Sequence, residues 1–383
     1  MKRAGLGAAL YAALLCCALG LSGQWLTVHF NYGGNLTALF CHGSKVPVPA
    51  ELAVERIYVF PNSGGYDGQS YHYVAHDPLD RTAVGRAVPD PARRFPRILV
   101  PGLAWLLALG RATWIDTGFV AVNLGFLFLG AWWLARLLPG IGLNPWWAAL
   151  YVATPPAIVS LDRMLVDLAL VSLCLGFAVY WKSGAWWKLW AILAAAALCR
   201  ESGVLLFAAY AIHLVGQRQM GQRQMGRVLW FATAMLPAAA WTLWVRAHFP
   251  GGDVIAAGPM PFVGMIADLW NPRPYPFPAL AQVGIRFLDG MQFGGLLMAM
   301  WWGLRDVRRM TEDPLRAACV LWACFGICIP QGTYDDPFAG ARILGPLLAF
   351  QFLDGNRLGL WMVTPRVWLE LGPQVLGVLR GLV

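Results

Sequence analysis

Hydrophobic residues occupy long runs of the chain, and polar residues collect in a few stretches between them. The first apolar run covers residues 5–24, and the others follow after residue 97. A transmembrane helix needs about 20 apolar residues, so runs of this kind predict helices that cross a membrane. The pattern therefore predicts an all-α, polytopic integral membrane protein with about ten transmembrane helices.

Two of the predicted crossings are interrupted. A proline pair breaks residues 145–160, which predicts a half-span that enters the membrane and returns. Arg200-Glu201 breaks residues 186–215, which predicts two short helices that meet near the outer side. The other predicted segments are 98–110, 113–135, 164–181, 228–247, 285–303, 316–330 and 341–354, with 358–380 as a last span or an interfacial helix.

The longest polar stretch, residues 25–97, is predicted to be the first outer loop of a single domain spanning residues 1–383. Residues 98–383 supply the remaining membrane helices. Lys2 and Arg3 place the N-terminus on the cytoplasmic side by the positive-inside bias. The loop carries Gly65-Tyr66-Asp67-Gly68-Gln69-Ser70-Tyr71 near its middle. Glycines beside Asp67 permit tight turns and close backbone approach, so this carboxylate is expected to have a chemical role, with a structural turn as the alternative.

Composition supports a membrane protein and excludes one class of partner. Hydrophobic residues make up 58% of the chain and charged residues 13%, whereas soluble domains carry about 25% charged residues. The 20 tryptophans suit membrane interfaces. The net charge of +9 is spread in small groups between apolar segments. Because it forms no basic face or tail, nucleic-acid binding is not expected.

Several ionisable residues lie at depths where a membrane makes charge costly. Insertion scales assign a cost of about 2.5–3.5 kcal/mol to such a residue at a helix centre, so it usually faces a cavity and serves a function. The predicted topology brings this group to the side that carries Asp67. Its members are Arg94, Arg97, Asp162, Asp167, Arg200, Glu201 and Arg342.

Structural roles for these residues stay open as alternatives. Asp162 could cap a helix, and Asp167 could pair with Arg163. Arg200 and Glu201 could pair with other buried charges and hold two half-helices together.

His72 and His76 lie at the i, i+4 spacing that metal ligands on one helix face use. The sequence shows no clear third ligand, so the pair is interpreted as histidines without a metal, and no metal ligand is assigned. A divalent metal that assists Asp67 stays open. Asp335-Asp336 is interpreted as part of a solvated loop.

These groups suit glycosyl transfer from a lipid-linked phosphosugar. Asp67 would take the proton of the acceptor hydroxyl as that oxygen attacks the anomeric carbon. Arginines match the oxygens of the leaving phosphate. Tyr66, Gln69 and Tyr71 would bind the sugar. The sequence has no Gly-rich loop for nucleotide phosphates, which favours a lipid-carried donor over a soluble nucleotide sugar.

The chain also resembles a bacterial family of membrane proteins. The resemblance rests on the Gly-Tyr-Asp-Gly-Gln run at 65–69, on Ala75-His76-Asp77-Pro78, and on residues 94–101, with Arg200-Glu201 and 340–346 matching later elements. That family is similar to the GT-C superfamily of polyprenyl-phosphate-sugar glycosyltransferases. In those enzymes the first outer loop carries the catalytic aspartate, which implies that role for Asp67.

The sequence departs from these families at three points. Ser202 stands where the bacterial family has threonine, and Tyr66 stands where the mannosyltransferase type has tryptophan. Asp67 also lies further from the first span than the acid of many GT-C enzymes.

The sequence thus predicts a GT-C-like glycosyltransferase of the bacterial inner membrane with a periplasmic active site. The expected partners are a polyprenyl-phosphate-linked sugar donor, a periplasmic glycan, lipid or protein acceptor, and membrane lipids. Two alternatives stay open. A transporter or flippase of a lipid-linked saccharide would need no acid near the acceptor, and a non-catalytic polyprenyl-binding assembly subunit would keep the fold without turnover.

Overall fold

A computed structural model describes residues 3–216, 222–250, 260–271 and 273–382. Lys2 lies outside the described residues. Within them, strand structure is limited to β1 (His42–Gly43) and β2 (Val59–Phe60), which pair in parallel. The all-α prediction is confirmed.

The α-helices of the described part vary widely in length. In chain order they are α1 (Arg3–Tyr32), α2 (Asp67–His76), α3 (Ala83–Arg86), α4 (Pro91–Arg94), α5 (Leu99–Leu107), α6 (Ile115–Leu137), α7 (Pro155–Arg163), α8 (Asp167–Tyr180), α9 (Trp186–Cys199), α10 (Val204–Val215), α11 (Gln222–Ala232), α12 (Leu236–His248), α13 (Val263–Trp270), α14 (Ala279–Arg305), α15 (Pro314–Ile327), α16 (Gln331–Tyr334), α17 (Ala339–Ile343), α18 (Gly345–Leu353), α19 (Leu358–Glu370) and α20 (Gly372–Leu382). Short 3₁₀ helices cover Leu36–Phe40, Ala50–Glu55, Ala112–Trp114, Leu138–Ile141, Pro145–Ala153, Glu201–Gly203, Thr233–Met235 and Asp306–Arg309.

Among the residues that the structure describes, three helical segments are long and apolar enough to cross a membrane. They are Leu6–Tyr32, Ala112–Ile141 and Gln224–His248. Shorter apolar helices include α8, α9 and α15. This set indicates a membrane-associated protein, and the count of about ten crossings stays a prediction from the sequence.

The first helix is longer than predicted. It runs to Tyr32, so the prediction that the outer loop begins at residue 25 is wrong. Residues 25–32 contain no glycine or proline, so no helix-breaking residue interrupts α1 before Tyr32. The helix ends where Gly33 and Gly34 adopt left-handed backbone angles, with φ of 58° and 84°, a conformation that glycine enters without steric cost.

The predicted interruptions are present. Thr154 is extended between the 3₁₀ helix Pro145–Ala153 and α7, which confirms the break at the proline pair. Arg200 is also extended, with φ of −161° and ψ of 152°, and it separates α9 from the turn that leads into α10. The prediction of two short helices meeting at Arg200-Glu201 is therefore confirmed.

Two segments predicted as single helices are each divided in two. Residues 341–354 form parts of α17 and α18, and residues 358–380 form α19 and α20. Pro346 and Pro373 follow the two breaks. Each lacks the N–H that a continuous helix would donate to the carbonyl four residues earlier, so the helix ends and restarts.

Helix packing brings distant parts of the chain together around α2. This helix packs against α5 and α6, while α8 packs against α6, α9 and α18. The short helix α17 packs against α7 and α14. Asp67 lies in α2, Asp167 in α8 and Arg342 in α17. The packing of these helices places the three charged residues near one another.

Candidate functional site

The Gly-Tyr-Asp-Gly-Gln run does not form an open loop, because α2 begins within it. Tyr66 is the extended residue before the helix, with φ of −136°, and Asp67 is the first helical residue. A carboxylate in the first turn is stabilised by the N-terminal end of the helix dipole. The helix therefore fixes the position of Asp67, which the sequence alone had placed in an irregular segment.

Glycines around Asp67 permit a backbone approach that other residues would block. A Cβ on Gly68 would lie 2.2 Å from the carbonyl oxygen of Arg163 at the end of α7. Gly65 has a φ of 78° and leaves room for the side-chain oxygen of Gln69. Both glycines are required by close contacts, as the sequence predicted.

Asp67 lies between two arginines. Its Oδ1 atom is 2.8 Å from Nη2 of Arg94, and its Oδ2 atom accepts a hydrogen bond of 2.8 Å from Nη2 of Arg342. The other terminal nitrogen of Arg342 donates to Asp167 at 2.6 Å. The second oxygen of Asp167 pairs with Arg200. We call Arg94, Asp67, Arg342, Asp167 and Arg200 the arginine–carboxylate network.

A second ion pair involves the remaining predicted charges. Arg97 donates from Nε to Oε1 of Glu201 at 2.9 Å, and its Nη1 atom donates to the Tyr71 hydroxyl at 2.9 Å. The Arg94 guanidinium lies 5.9 Å from the centre of the Tyr71 ring. Tyr71 therefore links this pair to the arginine–carboxylate network.

Tyr66 contacts the network from its other side. The guanidinium of Arg342 lies 5.4 Å from the Tyr66 ring centre, within the range of a cation–π contact. The Tyr66 hydroxyl donates to Oδ2 of Asp336 at 2.5 Å. Asp336 lies in a bend and is partly exposed, and both of its carboxylate oxygens accept hydrogen bonds, because Oδ1 accepts from the backbone N–H of Phe338. In the sequence, the acidic pair Asp335-Asp336 in a predicted loop was the only sign that Asp336 could bind Tyr66.

Two predicted site residues, Gln69 and Asp162, form neither a hydrogen bond nor an ion pair with the arginine–carboxylate network or with the Arg97–Glu201 pair in the described part of the chain. Gln69 is buried, and its Oε1 atom accepts a hydrogen bond of 3.0 Å from the backbone of Gly43, so it joins β1 to α2. Asp162 pairs with Arg163 at 3.3 Å. Asp167 pairs with two other arginines, so the alternative that it pairs with Arg163 is wrong.

The site is densely charged. Four arginines face the three carboxylates of Asp67, Asp167 and Glu201, and Asp336 adds a fourth negative charge near Arg342. Burial alone would raise the pKa of Asp67, but the positive charges of Arg94 and Arg342 outweigh it and hold that pKa below its usual value. Asp67 is therefore ionised at neutral pH, and it stays a weak base while both arginines bind it.

Arg94 has hydrogen-bonding capacity to spare. It reaches Asp67 through Nη2 alone, whereas its buried Nε and Nη1 atoms have no hydrogen-bond partner within the described part of the chain. Buried donors normally have partners, and each unpaired guanidinium N–H group can donate a charge-assisted hydrogen bond to an oxygen of a phosphate or carboxylate. The site can therefore accept an anion beside Asp67.

The arrangement combines an ionised carboxylate, several arginines and two aromatic rings. Such a set can hold an anionic group and accept a proton from a neighbouring hydroxyl. Comparison with known proteins adds no further constraint: the sequence matches no protein-family model, and neither a curated protein nor a solved structure shows significant similarity.

Proposed function

We propose that this chain is a membrane glycosyltransferase that moves a sugar from a polyprenyl-phosphate donor to a periplasmic acceptor. The observation that carries the proposal is the position of Asp67 between Arg94 and Arg342, with two Arg94 donors free to bind an anion. In this proposal the protein lies in a bacterial inner membrane, crosses it about ten times, and presents Asp67 on the periplasmic side.

The donor phosphate accepts a hydrogen bond from an unpaired N–H group of Arg94, at Nε or at Nη1, on the edges of the guanidinium beside the Asp67 contact. Its negative charge competes with Asp67 for the arginines. As Arg94 turns its charge towards the phosphate, the pKa of Asp67 rises towards the ordinary range of a carboxylate, and Asp67 becomes a better base. Binding of the donor thus makes Asp67 more basic before it takes the proton of the acceptor hydroxyl.

In the transfer step the acceptor oxygen forms a bond to the anomeric carbon, and its proton passes to a carboxylate oxygen of Asp67. The bond from the anomeric carbon to the phosphate oxygen breaks, and its electron pair stays on the phosphate. The positive charges of Arg94 and Arg342 stabilise this leaving group. The lipid phosphate then departs with the tail in the membrane.

The other members of the site act as positioning residues. Asp167 accepts a hydrogen bond from Arg342 and another from Arg200, so Asp167 and Arg200 together fix the position of Arg342. Glu201 and Tyr71 hold Arg97 in the same manner. Tyr66 is partly exposed near the arginines, where a sugar can contact its ring, whereas Tyr71 is fully buried and supports Arg97.

One observation favours a non-catalytic alternative. Both oxygens of Asp67 are paired, which is also what a purely structural charge cluster requires. In that case the chain would bind polyprenyl phosphate through Arg94 as an assembly subunit and would transfer no sugar.

The test uses the full chain, purified in detergent, with a polyprenyl-phosphate donor that carries a radiolabelled sugar. We expect Asp67→Asn to lower the rate of transfer by about 10²- to 10⁴-fold, the usual contribution of a general base, and to leave polyprenyl-phosphate binding in place. Arg94→Ala should weaken donor binding. Asp90→Asn is the matched control, because Asp90 is exposed and only approaches Arg93 at 3.8 Å.

Each alternative has its own result. Transfer by Asp67→Asn at the rate of the unsubstituted chain would exclude Asp67 as the base. Polyprenyl-phosphate binding that depends on Arg94, without turnover of any donor, would identify the assembly subunit. Movement of a fluorescent lipid-linked sugar across a liposome, without a new glycosidic bond, would identify a flippase.

A further inference from the structure

Four potential metal ligands meet at the end of α2 opposite to Asp67. His72 and His76 lie on one face of α2, Glu55 ends the 3₁₀ helix Ala50–Glu55, and Asp116 lies in the first turn of α6. One ligand atom from each of these residues lies within 4.8 Å of all the others. The sequence alone gave no third ligand. The structure offers two further ligands, Glu55 from the segment before α2 and Asp116 from the segment after it.

This cluster is distinct from the arginine–carboxylate network. His72 follows Asp67 by five helical positions, which places it about 7 Å further along the axis and about 140° around it. His76 is the last residue of α2. The two groups of side chains therefore occupy different faces of one short helix.

The ligand atoms cannot all form hydrogen bonds with one another. His72 Nε2 lies 2.7 Å from Oδ1 of Asp116 and 3.1 Å from Nε2 of His76. A neutral ring nitrogen offers either one proton or one lone pair, so it can donate to only one of them. Oε2 of Glu55 lies 3.3 Å from Nε2 of His76, yet neither buried oxygen of Glu55 has a hydrogen-bond partner among the described residues. A cation would satisfy all of these lone pairs at once.

The charge of the cluster also fits a divalent ion. Within the described residues, Glu55 and Asp116 form ion pairs with histidines alone, and no arginine or lysine neutralises them. Two carboxylates with two neutral imidazoles carry a charge of −2. A divalent cation would balance that charge, as buried carboxylates require.

The contacts around His72 orient it as a metal ligand. Its ring stacks on Phe40 with the centres 4.0 Å apart. Its Nδ1 atom lies 2.9 Å from Nε2 of His42, which is buried in turn. Metal-binding histidines usually donate the second ring N–H to such a partner, which fixes the ring and leaves the other nitrogen free for the metal.

We propose that Glu55, His72, His76 and Asp116 form a zinc site that ties the first outer segment to α6. Zn²⁺ binds histidine and carboxylate ligands at about 2.0–2.2 Å in tetrahedral geometry, which separates the ligand atoms by roughly 3.3–3.6 Å. The separations of 2.7, 3.1, 3.3 and 4.0 Å lie on both sides of that range. Small side-chain shifts suffice to complete the site. Imidazole nitrogen favours Zn²⁺ over Mg²⁺ and Ca²⁺, which prefer all-oxygen sites.

The site has a structural consequence that does not depend on glycosyl transfer. All four first-coordination positions are filled by protein, which is typical of structural rather than catalytic zinc. The metal would hold α2 against α6 and connect both to Glu55. By holding the C-terminal end of α2, the metal would also restrict the position of Asp67 at the N-terminal end of the same helix.

The test measures bound metal in the full chain in detergent. The protein is stripped with a chelator, supplied with Zn²⁺, freed of excess metal, and its zinc content is measured by mass spectrometry. We expect one Zn²⁺ per chain, retained in a large excess of Mg²⁺. His76→Ala and Asp116→Asn should each weaken Zn²⁺ binding about tenfold or more. His248→Ala is the control, because His248 is exposed and lies outside the cluster.

A second measurement uses the unsubstituted chain and so does not depend on how the variants fold. Co²⁺ in place of Zn²⁺ should give the intense visible absorption of a four-coordinate ion, and added Zn²⁺ should abolish it. Zinc content that is equal in His76→Ala and His248→Ala would overturn the proposal. So would a Co²⁺ spectrum no stronger than that of the hydrated ion. Neither readout requires sugar transfer, so the failure of one proposal is distinguishable from the failure of the other.

Discussion

Replacement of Arg342 by alanine should destabilise the protein more than the loss of other arginines, because Arg342 joins two carboxylates. It donates one hydrogen bond of 2.8 Å to Asp67 and one of 2.6 Å to Asp167. Its side chain is 5% exposed and that of Asp167 is 2% exposed. Removal of one partner from a buried ion pair leaves a charge without compensation.

The expected cost follows from the bonds that are lost. A hydrogen bond to a charged group contributes about 1.5–3 kcal/mol, so the two bonds of Arg342 sum to roughly 3–6 kcal/mol. Asp67 and Asp167 would keep Arg94 and Arg200 as partners, which limits the penalty. We therefore expect Arg342→Ala to lower the free energy of unfolding by about 3 kcal/mol, the lower end of the range for a broken buried pair.

The measurement is denaturant-induced unfolding of the purified full chain in mixed micelles. Arg93→Ala is the control, because Arg93 is about one-third exposed and lies 3.8 Å from the exposed carboxylate of Asp90. Surface pairs of that kind contribute about 0–1 kcal/mol. Equal losses of stability in the two variants would refute the reasoning, since burial of the Arg342 contacts would then have no energetic effect.

Two further predictions concern other parts of the outer segments. Gly68→Ala should lower the free energy of unfolding by about 1–3 kcal/mol, because its Cβ would meet the Arg163 carbonyl at 2.2 Å; Gly64→Ala, which has open space around it, should change stability little in the same unfolding assay. Burial, and then a hydrogen bond and the charge of Asp335, raise the pKa of Asp268 to about 7. The folded protein thus holds this proton more tightly than the unfolded chain, so the stabilising contribution is present at low pH and is lost as the pH rises through 7. The melting temperature should fall from pH 5 to pH 8 relative to that of Asp268→Asn, and parallel pH profiles would contradict the assignment.

Much of the helical structure could be predicted from the sequence, because apolar runs and proline breaks act locally. The two short helices that meet at Arg200-Glu201 follow from charge within an apolar run, and the start of α7 follows from the proline pair that forms its first two residues. The end of α1 was missed because polar residues after position 24 do not stop a helix. Gly33 and Gly34 do stop it, through their backbone angles.

The site was predicted in its members but not in its connections. The cost of charge in a membrane identifies residues such as Arg200 and Arg342, whatever their partners are. It does not predict that Asp167 would pair with both Arg200 and Arg342. Nor does it predict that Gln69 would accept a hydrogen bond from the backbone of Gly43. Those contacts depend on how separate helices pack, which no local pattern contains.

The histidine pair shows the same limit. The i, i+4 spacing on a helix is visible in the sequence, but a third ligand can come from anywhere in the chain. Asp116 lies 44 residues after His72 and reaches it only because α2 packs against α6. Glu55 belongs to a 3₁₀ helix with no pattern that marks it as a ligand.

The arginine–carboxylate network also has a consequence for biosynthesis. Arg342 follows Asp67 by 275 residues and Asp167 by 175 residues. During synthesis both carboxylates therefore emerge from the ribosome long before the arginine that bridges them. Until α17 is inserted and docked, each carboxylate lacks one of its partners. Placement of this five-residue helix late in synthesis thus completes the charge pairing of segments made much earlier, and a misplaced α17 would leave Asp67 and Asp167 each without one buried partner.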